Sequence, residues 1–119
     1  MDTERYEAGK AVRAEVLGPL PAANEWSRPF QDMVLEYCWG AIWARPGLDR
    51  KTRSMLNLAM LGALGRSHEL ALHIRGALNN GCSKEEIREV LLQLAVYAGI
   101  PAGVEAFRTA NAVFAETKA

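Results

Sequence analysis

Apolar residues return every three or four positions along most of this chain, and short breaks rich in Gly, Pro, Asn and Ser separate the repeats. That period is helical, and no run of alternating β-branched residues reads as a strand. The spacing predicts a first helix from about Thr3 to Leu17, stopped by Gly18 and Pro19. After the connector "GPLPAANEW", Ser27 stands where it would cap a second helix, with Pro29 tolerated in the first turn. That helix carries Phe30, Met33, Val34, Tyr37 and Ile42 and ends before Pro46. Asp49 should cap a third, whose apolar residues are Met55, Leu56, Leu58, Ala59 and Leu61, closed by Gly65. Ser67 should cap a fourth, ending at "NNG", where Gly81 supplies a left-handed position. "SKEE", Ser83 to Glu86, is a capping box that opens a fifth helix. Pro101 suits the first turn of a sixth, running to about Glu116. The expectation is an all-α fold of about six helices in one domain over residues 1–119.

The fifth helix moves the picture from a single chain to an assembly. Between Val90 and Ala98 only Gln93 and Tyr97 are polar. A helix that is apolar nearly all round is expected to be buried on all sides. A chain of 119 residues has little protein with which to cover it, so subunit contacts are expected.

Charge and composition narrow the function classes. Fourteen basic residues balance fourteen acidic ones, which argues against a nucleic-acid or membrane-surface protein. "MDTERYEAGK" lacks the apolar core of a signal peptide, and the longest apolar stretch is short for a bilayer and broken by Gly99 and Pro101. Cys38 and Cys82 lie far apart and form no disulfide framework. The expectation is a reduced, cytoplasmic protein with two small buried thiols.

Candidate chemistry is sparse. His68 and His73 are the only histidines, and no His/Cys spacing suggests zinc. No glycine loop resembles a phosphate or dinucleotide cradle, and there is no Cys-x-x-Cys. His73 shares a helical stripe with Leu70, Ile74 and Ala77, with Glu69 one turn before it. It reads either as a core histidine or as a tuned proton donor or acceptor. Glu36 has Trp39 and Trp43 at i+3 and i+7, so it reads as a desolvated acid or as a glutamate paired with a cation. Arg45, Arg50, Lys51 and Arg53 put four cations into nine residues, around a helix start that disfavours positive charge. They are either solvated surface or an anion site in which Arg grips carboxylates bidentately. Arg75 could add a cation, although at i+2 it does not share the face of His73.

Taken in order, "ERYEAG…VRAEVLG", "EYCWG…W.RPGLDRKTRS", "LALHIRGALNNG" and "EEIREVLLQLAVYAGIPA" resemble the carboxymuconolactone decarboxylase family over nearly the whole chain. The resemblance implies the all-helical fold shared with alkylhydroperoxidase-D-like proteins, and commonly a hexameric ring. It also implies cofactor-free, metal-free decarboxylation of 4-carboxymuconolactone to an enol-lactone in protocatechuate breakdown, the β-ketoadipate route. A substrate with two carboxylates and a lactone carbonyl would explain the clustered cations. On that reading Arg45 and Arg53 bind carboxylates, with Trp39 and Arg75 also at the substrate. His73 serves the oxyanion or the proton, with Glu36 or Glu69 as its partner. The chain departs from the family pattern at Ala41, where members usually carry Glu after "WG". It departs again at "GPLPAAN", where they often carry a His-Val pair. The rival readings are a thiol peroxidase of the same fold and a non-catalytic oligomeric ligand-binding paralogue. The peroxidase would need cysteines where this chain has Arg66 and Glu69.

Overall fold

A computed structural model describes residues 1–116, and every regular element among them is helical. The chain divides into two compact units, Met1–Arg50 and Lys51–Ala119.

The first unit is built on a close pair of helices. Helix α1 (Thr3–Leu17) starts at Asp2, whose carboxylate accepts the amide of Arg5 at 3.1 Å. The short α2 (Arg28–Met33) has Pro29 in its first turn, as the sequence predicts. Ser27 does occupy the N-cap, but its hydroxyl donates back to Asn24 Oδ1 at 2.9 Å and makes no cap bond. Helix α2 then runs without a break into a π-helical segment, Val34–Trp43, where a single α-helix was expected. The wider turn is visible at its end, where the Ala44 amide donates to Trp39 O, five residues back, at 2.9 Å. Val12 and Val16 from α1 pack with Leu35, Trp39 and Trp43 from the π-helical segment to form the core of this unit.

The second unit holds α3 (Arg50–Leu64, of which Arg50 falls in the first unit), α4 (Ser67–Asn79), α5 (Lys84–Ala98) and α6 (Ile100–Glu116). The fourth helix begins where predicted, but Arg66 is its N-cap. Ser67 is its first residue and spends its hydroxyl on Glu105 of α6 at 3.2 Å. Gly81 turns the chain after α4 at φ 92°, a conformation that side chains resist, and Cys82 N then reaches back to Ala77 O at 2.9 Å. The capping box at α5 is complete: Glu86 N donates to Ser83 Oγ at 3.0 Å, and Ser83 N donates to Glu86 Oε1 at 2.9 Å. Leu58, Leu70, Ile74, Ile87, Leu91, Leu94, Ala106 and Val113 fill the core, so each of the four helices contributes.

Helix α5 corrects one expectation. Within the chain it is buried on one side only, through Ile87, Leu91 and Leu94. Its other side carries Leu92, Val96 and Tyr97, the last two 73% and 84% exposed. Beside it on α3, Leu56 and Met60 are also exposed, and two open grooves of about 420 Å³ each run between α3 and α5.

Candidate functional site

The four clustered cations separate into different roles. Arg50 Nη1 lies 2.5 Å from Glu15, and Lys51 Nζ lies 2.8 Å from Glu86 of the capping box, so each has a carboxylate. Arg45 sits exposed in the turn after the π-helical segment. Arg53 is half-buried in the first turns of α3, and its Nε is fully buried with no hydrogen-bond partner among the described residues. A buried cationic donor without an acceptor is costly and calls for an anion. Arg75 donates from Nε and Nη2 to the two carboxylate oxygens of Glu116, at 3.0 and 2.9 Å. That fork holds the guanidinium above its ordinary value and pushes the Glu116 carboxyl below its own.

His73 projects from α4 at the margin of the second core. Its stripe neighbours Leu70, Ile74 and Ala77 are buried as expected, while the imidazole is half-buried. Asn57 of α3 brings its amide Nδ2 to 3.5 Å from His73 Nδ1. Arg53 and Asn57 are four residues apart on α3 and therefore share one face. This unit thus gathers a buried cationic nitrogen, an amide donor and an imidazole. Glu69, one turn before His73, is exposed. Asn57 escaped the sequence reading. The signal was an amide in the fourth position after Arg53, on a helix whose other face is apolar.

The remaining candidates lie in the first unit. Glu36 is 7% exposed, and its Oε1 accepts the backbone amide of Asp2 at 2.6 Å. Its carboxyl is therefore buried, and the partner brought to it is a backbone amide. Trp39 and Trp43 are buried beside it in the same segment and stack at 4.9 Å between ring centroids, with 25° between planes. Ala41, at the position of the family's usual Glu, is half-buried.

Of the two thiols expected to be buried, Cys82 is and Cys38 is not, because Cys38 falls on the outward side of its helix. Cys82 is buried, and its Sγ points at Lys51 O, 3.7 Å away. Cys38 lies at the surface of its helix, where the surrounding protein desolvates the sulfur and pushes the thiol up, away from the reactive thiolate. No group of three or more His, Cys, Asp or Glu side chains able to hold a metal occurs among the described residues.

Residues 28–112 match the carboxymuconolactone decarboxylase family. The chain belongs to that family. The matched region contains Glu36, Trp39, Arg45, Arg53, Glu69, His73 and Arg75, and leaves out α1. A 4-carboxymuconolactone decarboxylase of Acinetobacter baylyi is 43% identical over 95% of this chain and 89% of its own length. A nitrosuccinic acid decarboxylase of Metarhizium robertsii is 45% identical over 85% of this chain and 75% of its own. An uncharacterised 15.0 kDa protein of Paracoccus denitrificans is 36% identical over 70% of this chain. Two of these family relatives are decarboxylases by name, and carboxy-lyase chemistry is what they share with the family.

Proposed function

We propose that the protein catalyses cofactor-free decarboxylation of 4-carboxymuconolactone, or a closely related carboxylated lactone, to an enol-lactone in aromatic catabolism. The observation that carries this reading in the chain itself is Arg53, whose buried Nε has no acceptor among the described residues and lies one helical turn from the Asn57–His73 contact. A carboxylate supplies what that nitrogen lacks. The identity to a decarboxylase of this lactone over 95% of the chain supports the choice of substrate.

The substrate is its own electron sink. The departing carboxylate sits on the ring carbon gamma to the conjugated lactone carbonyl. As the bond to CO2 breaks, its electron pair moves through the ring double bond onto the carbonyl oxygen, forming an oxyfuran-like dienolate. A proton from solvent, delivered to the carbon alpha to the carbonyl, completes the enol-lactone. The protein has to hold the retained carboxylate, stabilise the oxyanion and direct the proton. Arg53 and Arg45 are assigned to carboxylate binding, and His73 to the oxyanion or the proton, with Glu36 or Glu69 in support. Trp39 is assigned to the substrate's surroundings. A hydrogen-bond donor placed for a developing oxyanion is worth about 10²–10³ in rate.

The nitrosuccinic acid decarboxylase relative favours a second substrate for trial. Nitrosuccinic acid also carries two carboxylates, one of them on the carbon that bears the nitro group. Loss of CO2 there leaves a nitronate, and the same cation and oxyanion donor would serve it.

The exposed apolar side of α5 supports a homo-oligomer, a hexamer by family resemblance, acting in the cytoplasm. The deciding experiment follows 4-carboxymuconolactone by its ultraviolet absorbance with purified protein, with nitrosuccinate in parallel. Lactone loss with release of CO2 is expected. Saturable binding of the lactone without turnover would select the non-catalytic paralogue instead.

A further inference from the structure

The contact between Asn57 and His73 carries more than proximity. The atom of Asn57 that faces the ring is Nδ2, 3.5 Å from His73 Nδ1. An amide nitrogen only donates, so a hydrogen bond across this contact requires a lone pair on the ring nitrogen opposite. In a neutral imidazole the single proton is then on Nε2. We infer that Asn57 is a positioning residue that holds His73 as the Nε2–H tautomer. The neutral ring thereby offers a hydrogen-bond donor to the oxyanion that forms as CO2 leaves. This rests on the decarboxylase reading above and decides a point that it leaves open.

The assignment divides the labour of the reaction. The electron pair released from the departing carboxylate ends on the carbonyl oxygen, and the Nε2–H bond to that oxygen strengthens as its charge grows. The proton stays on nitrogen throughout. A neutral imidazole that gave up Nε2–H would become an imidazolate, so the proton that reaches the alpha carbon comes from water. His73 is then an electrophilic donor rather than the proton source. An aspartate at position 57 would reverse the geometry: its carboxylate accepts, which draws the proton to Nδ1 and leaves Nε2 as a lone pair facing the oxyanion.

The chain suits a direct test, because it contains two histidines and His68 is exposed. Long-range proton–nitrogen NMR on protein labelled at histidine nitrogen distinguishes the tautomers above about pH 7.5, where an ordinary imidazole is neutral. A His68→Gln variant assigns the signals. The wild type should show a lone-pair-type Nδ1 and a protonated Nε2 at His73. Asn57→Asp should move the proton to Nδ1 and lower turnover about 10²–10³-fold with little change in KM. Asn57→Leu, close in volume, should lose the fixed tautomer while keeping helical content. A wild-type spectrum with the proton on Nδ1 overturns the inference, even if every variant at position 57 unfolds. So does a folded Asn57→Asp protein with tautomer and turnover unchanged. The spectrum is read without substrate, so its outcome is independent of whether the lactone is turned over. A protein with the Nε2–H tautomer that ignores the lactone keeps Asn57 in its role and removes the proposed substrate.

Discussion

Gly9 of α1 and Gly40 of the π-helical segment meet so closely that neither could carry a side chain. A Cβ on Gly9 would lie 2.0 Å from Leu35 O and 2.6 Å from Gly40 N, and one on Gly40 would lie 2.1 Å from Arg5 O. These are backbone atoms that cannot swing aside. Gly9→Ala or Gly40→Ala should therefore cost about 3 kcal/mol or more, at or beyond the upper end of overpacking penalties. Chemical denaturation checks this, and a midpoint within error of the wild type would contradict the packing.

His73→Gln keeps a polar side chain at the margin of the core but removes the imidazole. If the ring acts on the transition state, turnover of the lactone should fall about 10²–10³-fold with KM little changed. Circular dichroism and assembly size come first, since a purely structural histidine would lose stability instead. A folded variant with wild-type turnover moves the chemistry to Glu36.

Arg53 and Arg75 should separate kinetically. Arg53→Ala removes the guanidinium with the unpaired buried nitrogen and should raise KM about 10- to 100-fold, the worth of a charge-assisted hydrogen bond. Arg75 is already engaged by Glu116, so Arg75→Ala should change KM less than about threefold. Steady-state kinetics on the two variants decides it, and equal effects would mean that Arg75 leaves Glu116 for substrate.

Acid stability should depend on Glu86. Its carboxyl is held below the ordinary 4.5, first by Lys51 and then by the Ser83 amide. A depressed carboxylate contributes stability above its unfolded value that is lost as pH falls through the folded one. The wild type should therefore lose stability below about pH 4.5. Glu86→Gln keeps an acceptor for the capping box but loses the ion pair, so its melting temperature should fall less steeply across that window. Parallel acid limbs for the two proteins would remove Glu86 as a contributor.

The assembly prediction rests on Val96 and Tyr97. Light scattering at micromolar concentration should report a species larger than a dimer, with a hexamer expected. Val96→Asp should shift it to smaller species while helical content is kept, because a residue this exposed in the single chain costs little there. A monomeric wild type would defeat the prediction.

Local signals were legible in the sequence and distant ones were not. Gly18, Gly65, Gly81 and Gly99 all adopt positive φ at helix ends, and the Ser83–Glu86 box needs only adjacent residues, so the helices could be placed almost to the residue. "VLEYCWGAIW" satisfies an α-helical period as well as a π-helical one. The segment packs against α1, and periodicity does not record that contact. Arg75 and Glu116 lie 41 residues apart, so their fork depends on how α4 meets α6. Asn57 became a candidate only when α3 was seen to bring its amide to His73. On α5 the apolar pattern was right and its conclusion incomplete: one face meets the chain's own core, and the other leaves Leu92, Val96 and Tyr97 exposed.

The stacked indoles of Trp39 and Trp43 also make the protein an unusual optical reporter. All three tryptophans lie in Met1–Arg50, and the third, Trp26, is 90% exposed. Emission excited beyond the tyrosine band therefore comes entirely from the first fifty residues: a shielded pair whose light changes as the π-helical segment loosens, and a lone ring open to aqueous quenchers. Residues 51–119 are dark at these wavelengths, while the amide signal near 222 nm weighs every helix alike. Two melting curves from one cuvette would thus separate the two ends of the chain without any label, and a gap between them would mark the chain as unfolding in more than one step.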